Sequence, residues 1–191
     1  MENIKTLIDK GDMKKVAEAL PPPAQMKNFT LVNVPANKTF YSVRQPGGCE
    51  FKKKQPFKDG TKRHKLFFFC DDLELCIYAT KNTGSGGGGP VWIASNSTEL
   101  KIVKIDGWRH QFLNPYYDGY LDIDYYDKEI ILYYYLIKHE LDGFQAATMQ
   151  DQPDFKKKTF EFAFLEKVMQ KKVMISSCVP LASLNKSKIK F

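Results

Sequence analysis

The chain has 191 residues, 43% of them apolar, 14% aromatic and 27% charged, with a net charge of +7. That length and apolar content suit one domain with an appendage. No stretch approaches the ~18 consecutive apolar residues of a membrane-spanning helix, and the composition excludes a wholly disordered or collagen-like chain.

Residues 2–20 place Ile4, Leu7, Ile8, Met13, Val16, Ala17 and Leu20 at helical spacing around Gly11, and Pro21, Pro22 and Pro23 end the run. The expectation is a short, broken helix and a stiff linker, residues 1–23, outside the main core. Packing onto its own domain is favoured over a partner-binding role for this helix.

From Phe29 to Phe144 the pattern is mostly β. Strands are expected at 29–34, 39–44, 50–54, 64–70, 73–80, 91–94, 100–105, 119–125, 130–138 and 143–149, separated by turn residues such as Asp59-Gly60, Asp71-Asp72 and Asp106-Gly107. Leu121 to Tyr125 alternate strictly, which puts Asp122 and Asp124 on one face of a strand. Residues 84–89, Gly-Ser-Gly-Gly-Gly-Gly, read as a flexible loop, and no P-loop Lys-Ser/Thr follows them. After Gln150 the period changes. Pro153 lies near Asp151 and Asp154, and Phe155, Phe162, Leu165 and Met169 follow at helical spacing, predicting a helix of about 20 residues with an aromatic face. Beyond it, residues 179–191 form a basic tail carrying Lys186, Lys188 and Lys190. The fold class is thus mainly β: an antiparallel bent sandwich or barrel of about seven strands over residues 24–178, capped by a C-terminal helix, with a short N-terminal helix before it.

Residue types that carry chemistry are sparse. Cys49, Cys70, Cys76 and Cys178 lack metal or C-x-x-C spacing, and Cys70 and Cys76 read as small core residues in a reduced, intracellular chain. Against that compartment stand four N-x-S/T sequons, at Asn28, Asn37, Asn96 and Asn185, which would be glycan sites in a secreted chain. His64, His110 and His139 sit in separate segments with no adjacent nucleophile or second ligand. Asp118, Asp122, Asp124 and Asp127 lack the glycine and terminal glutamate of a calcium loop and read as a solvated acidic strand and turn. Eight of the ten tyrosines lie between Tyr116 and Tyr135, yet they share that segment with the acidic excess, which disfavours a base-stacking platform. No catalytic site, metal or cofactor is expected.

The cationic segment is the strongest feature. Lys52, Lys53, Lys54, Lys58, Lys62, Arg63 and Lys65 face only Asp59, and they straddle the turn Pro56-Phe57-Lys58-Asp59-Gly60. Cations from two strands and their loop could then converge on one multiply charged anion.

The run Lys62-Arg63-His64-Lys65-Leu66-Phe67-Phe68-Phe69-Cys70-Asp71-Asp72-Leu73-Glu74-Leu75-Cys76-Ile77-Tyr78 resembles the strand, tight turn and strand of pleckstrin homology domains, closest to those of Rho-family exchange factors. Residues 130–149 with the helix from Pro153 are similar to that family's last strands and closing helix. The resemblance spans about residues 29–175. It implies an anion site at the first hairpin, with Lys54 and Lys58 before and within the turn and Arg63-His64-Lys65 after it. The family's closing-helix tryptophan is absent, Phe160, Phe162 or Phe164 standing in its place.

The function expected from these features is a non-enzymatic recruitment module, cytoplasmic and peripheral to the membrane. It would bind phosphoinositide or other anionic headgroups, or a protein partner, through the basic hairpin. Two alternatives stand beside it: a single-stranded nucleic-acid-binding barrel using the same hairpin and strand aromatics, and a secreted small-ligand barrel with glycans at Asn28 or Asn96.

Overall fold

The structure, a computed structural model, describes residues 4–43, 66–82, 89–117, 123–147 and 160–183, the side chains of 78–82 and 182 apart. Eight strands, β1 (Phe29–Val34), β2 (Thr39–Val43), β3 (Leu66–Cys70), β4 (Val91–Asn96), β5 (Leu100–Ile105), β6 (Gly143–Ala147), β7 (Phe160–Leu165) and β8 (Val173–Val179), form one sheet in the order β1-β5-β6-β7-β3-β2-β4-β8. Every pairing is antiparallel except β5–β6. The chain is therefore mainly β and mainly antiparallel, as its strand-rich pattern implies.

The sheet bends at a seam. Among the described residues a single register pair, Tyr41 with Cys70, joins β2 to β3. The Phe40 ring of β2 meets Phe162 and Phe164 of β7 at 5.1 and 5.0 Å, although β2 and β7 are not neighbours in the sheet. The two halves thus face each other across a phenylalanine core, a sandwich made by folding one sheet.

Among the described residues five helices decorate it: α1 (Ile4–Asp9), α2 (Met13–Ala19), α3 (Leu73–Asn82), α4 (Tyr125–Lys138) and the single turn α5 (Glu166–Met169). Gly11, at φ +70°, makes the left-handed turn between α1 and α2. Leu7, Val16, Ala17 and Leu20 are buried in the same core as the sheet, so this pair of helices packs on the body and does not stand outside it. Helix α2 lies on α4, where Lys138 Nζ donates to the Glu18 and Leu20 carbonyls at 2.7 and 3.4 Å and Tyr135 Oη donates to the Pro21 carbonyl at 2.8 Å. Among the described residues no helix is long and apolar enough to cross a membrane.

Three expected elements differ, each for a local reason. Residues 73–80 are helix, not strand: the Asp72 carboxylate accepts from Leu75 N–H at 3.0 Å and caps the first turn, which the period-2 spacing of Leu73, Leu75 and Ile77 conceals. Residues 130–138 belong to α4. Its tyrosines and isoleucines favour strand by propensity, but Lys128, Ile131, Leu132, Tyr135 and Leu136 are buried at the three-and-four spacing of a helix, and Asp124 caps it by accepting from Tyr126 N–H at 2.6 Å. The C-terminal helix is replaced by β7, α5 and β8. Phe160-Glu161-Phe162-Ala163-Phe164-Leu165 alternates as well as it spirals, and pairing with both β3 and β6 selects the strand.

These differences remove what carried the pleckstrin homology resemblance. Its second strand is α3, its penultimate strand is α4, and its closing helix is largely strand. The acidic strand at 119–125 also changes character: residues 118–122 lie outside the described residues, while Asp124 and Asp127 open a helix. Burial and, secondarily, the Asp124 charge hold the Asp127 carboxyl above its ordinary pKa. Cys70 and Cys76 are not in a disulfide, but Cys178 is disulfide-bonded, so the expectation of reduced cysteines fails there.

Candidate functional site

Each cation of the expected anion site, Lys52, Lys53, Lys54, Lys58, Lys62, Arg63 and Lys65, lies outside the described residues, as does the strand expected at 50–54. The described residues instead bring a different polar group together at one end of the sheet.

Its centre is Arg109, on the 3₁₀ turn Arg109–Leu113 that follows β5. The turn is set by Gly107, whose φ of +89° disfavours any side chain, and by Gln111, whose side-chain oxygen accepts from Trp108 N–H at 2.9 Å. Arg109 Nε donates to Glu129 Oε1 at 3.0 Å, and Nη1 donates to the two Glu161 oxygens at 2.7 and 2.6 Å. Glu129 comes from α4 and Glu161 from β7, so the guanidinium joins three elements. Its flat face lies 4.9 Å from the Phe68 ring of β3. The three charged side chains keep 27%, 13% and 15% of their exposure. Burial works against the arginine's charge, but Glu161 and then Glu129 outweigh it and raise its pKa above the usual value.

His110 borders this group. Its Nε2 accepts from Arg109 Nε at 3.1 Å and lies 3.4 Å from Glu129 Oε1. Nε2 serves as that acceptor in the tautomer protonated on Nδ1. The ring stacks on Tyr125 at 4.5 Å and 19°, and Tyr125 keeps 62% of its surface exposed. Lys128 Nζ lies 5.1 Å from the Tyr125 ring centre. Burial, opposed by Asp124, lowers the Lys128 pKa. Among the described residues, Arg109 Nη2 has no acceptor: the donors already spent are Nε and Nη1.

A second ion pair shows what a strap looks like in this fold. Asp142 accepts from Lys172 Nζ at 2.8 Å on both oxygens and from Lys101 N–H at 2.8 Å, while its own carbonyl accepts from Leu165 N–H at 3.1 Å. Those contacts close backbone groups of β5 and β7, which the Arg109 cluster does not do.

Of the cluster, the sequence drew attention only to His110, as an ordinary histidine. Arg109 and Glu161 went unnoticed. The signal for Glu161 was its position as the single charge in an otherwise apolar strand, Phe160–Leu165. The other described histidine, His139, ends α4 with a buried Nε2 that has no hydrogen-bond partner.

Two sequons are structural. The Asn96 side chain is fully buried, donating to the Pro35 and Thr98 carbonyls at 2.8 Å each and accepting from Lys38 N–H at 2.9 Å. Asn28 Nδ2 donates to the Gln111 and Phe112 carbonyls. Neither amide nitrogen is available for a glycan in the folded chain, which removes the support sought for a secreted barrel. Among the described residues the strand phenylalanines Phe40, Phe67, Phe69, Phe162 and Phe164 are buried and so offer no stacking surface for single-stranded nucleic acid.

No family model and no curated protein matches the chain. Among solved structures, it is similar to a chain in the crystal structure of the M. tuberculosis MbcT-MbcA toxin-antitoxin complex, with a TM-score of 0.47 and 7% identity over 78% of this chain and 86% of that one. With α3 and α4 standing where pleckstrin homology domains have strands, the recruitment reading, with its phosphoinositide headgroups and signalling role, is set aside.

Proposed function

We propose that the end of the sheet around Arg109 binds a small, neutral, planar ligand with both donor and acceptor edges, such as an aromatic carboxamide or a nucleobase. The observation that carries this reading is the guanidinium itself: clamped through Nε and Nη1, backed by Phe68, left with Nη2 unspent among the described residues, and adjoined by a His110 ring that stacks on the exposed Tyr125. A side chain held on three sides is a preorganised donor, and preorganisation reduces the entropic cost of binding. Stability gives no comparable reason for the arrangement, since a partly buried ion-pair network gains little over apolar packing.

Charge decides against a phosphate. Two carboxylates within 3.0 Å offset the guanidinium, and near a protein surface one unit charge at 4 Å is worth roughly 4 kcal/mol, so an incoming anion gains little from Arg109 and is repelled by the glutamates. A carbonyl oxygen suits Nη2, N–H or O–H groups suit the carboxylates, and the rim tyrosine offers an apolar wall. His110 Nε2 and Glu129 lie 3.4 Å apart at the same edge, close enough to exchange a proton with a bound molecule. The expectation of a non-catalytic chain is therefore not carried forward.

The test is titration of the chain with benzamide, uridine and inorganic phosphate, following the His110 and Tyr125 ring signals by NMR. Saturable shifts with benzamide or uridine, weakened at least about tenfold in Arg109→Lys and Tyr125→Ala, are expected. Tighter binding of phosphate at these residues, or no loss in folded variants, would overturn the reading.

A further inference from the structure

Independently of that site, β1 stands at one edge of the sheet with outward backbone groups unspent. Asp106 N–H donates to the Asn28 carbonyl at 2.9 Å, one step beyond the Phe29–Ile105 pair, so Thr30, Val32 and Val34 turn their N–H and C=O groups toward β5. Phe29, Leu31 and Asn33 turn theirs outward. The Met26 carbonyl takes Phe29 N–H at 3.3 Å, and the described residues offer no partner to the N–H and C=O groups of Leu31 and Asn33. Leu31 keeps 45% of its surface exposed, and Thr30 and Asn33 are exposed beside it. Natural sheets guard such edges with charge, proline or a bulge. The opposite edge, β8, has a bulge, where its register with β4 shifts at Ile93 and Ala94. Strand β1, Phe-Thr-Leu-Val-Asn-Val, has no charge and no proline, and it keeps one register with β5 along its whole length. We propose that β1 pairs antiparallel with the β1 of a second copy of this chain, about a two-fold axis at Val32, and joins two sheets into one.

The outward groups choose the register. With Leu31 opposite Asn33 of the second copy, the N–H of each donates to the C=O of the other, and the two-fold axis repeats the exchange, so every outward group of the two residues is used. A register centred on Leu31 would call instead on Phe29, whose N–H is already spent. The chosen register also sets Val32 against Val32 and Thr30 against Val34, β-branched pairs that suit a sheet surface. No charge lies in the joint: the lysines of β5, Lys101 and Lys104, stand behind Asn33 and Thr30, one strand away. This self-complementarity favours a second copy over a foreign strand, and a two-fold pair closes, whereas β1 against β8 of another copy would run on as an open chain. A single strand pair falls below the ~1,200 Å² of stable interfaces, so the dimer is expected to come apart on dilution.

The test is sedimentation velocity of the full chain over a concentration series, with Leu31→Pro and Val32→Cys beside it. The wild-type average mass is expected to climb toward twice that of the monomer. Proline at position 31 removes an outward N–H and leaves the β1–β5 ladder intact, so this variant is expected to be a folded monomer at every concentration. Mild oxidation of Val32→Cys should yield a peptide joined between two copies at position 32, absent from Thr30→Cys, whose side chain faces position 34. The inference fails if the wild type stays monomeric throughout, if folded Leu31→Pro still dimerises, or if association runs past the dimer. Where Leu31→Pro does not fold, the cross-link at position 32 decides, and its absence overturns the pairing.

Discussion

Arg109 and His139 illustrate two fates of a buried polar group. Arg109 is surrounded by acceptors and keeps its charge, whereas His139 has a buried Nε2 with no partner, and burial first and Lys138 second depress its pKa. The sign follows from linkage. A histidine that resists protonation when folded takes a proton more readily unfolded, so its contribution to stability is present above the ordinary pKa of about 6.5 and is lost as pH falls below it. The melting temperature should therefore drop between pH 7.5 and 5.5, and His139→Gln should flatten that slope; an equally steep slope in the variant would refute the assignment. Such roles are hard to read from sequence because a histidine's neighbours come from tertiary structure. His110 has no acid beside it in the chain, yet Glu129 reaches it from nineteen residues away.

Strand β6 shows how one position sets the fit of an element. Gly143 pairs with Phe164 of β7, and a Cβ there would run into the Ala163 carbonyl oxygen. Backbone cannot swing aside as a side chain does, so Gly143→Ala should cost about 1–3 kcal/mol in a urea titration through overpacking, even though alanine suits a strand better. A cost near zero would mean that β6 and β7 shift apart freely. The elements that sequence reading placed well are those with one dominant signal: β1, β2, β4 and β5, with their alternating or β-branched runs, and the N-terminal helices stopped by three prolines. Those it misplaced carry two signals at once. In α3 the aspartate cap competes with alternation, in α4 the three-and-four stripe competes with β-prone tyrosines, and in β7 alternation competes with a helical count of phenylalanines.

Phe40 holds the molecule's two halves together. It is fully buried and touches Phe69, Phe162 and Phe164 from across the seam, while Lys38 beside it spans to Asp71 at 3.6 Å and to the Phe162 ring at 4.5 Å. Phe40→Ala should lower stability by about 3–5 kcal/mol, because few backbone hydrogen bonds cross β2–β3 to compensate for the cavity. A loss under about 1 kcal/mol would show that the halves are held elsewhere.

That strand-forming residues dominate, that prolines end the first helices and that no long apolar helix spans the chain are local properties, carried by composition and spacing and readable without coordinates. The parallel β5–β6 pair, the fold at the seam, and the meeting of Arg109, Glu129 and Glu161 are not local. Each depends on distant segments finding one another, as Arg109 does with Glu129 and Glu161 across 20 and 52 residues, and that choice is made by the burial of facing surfaces, which no short window of sequence contains.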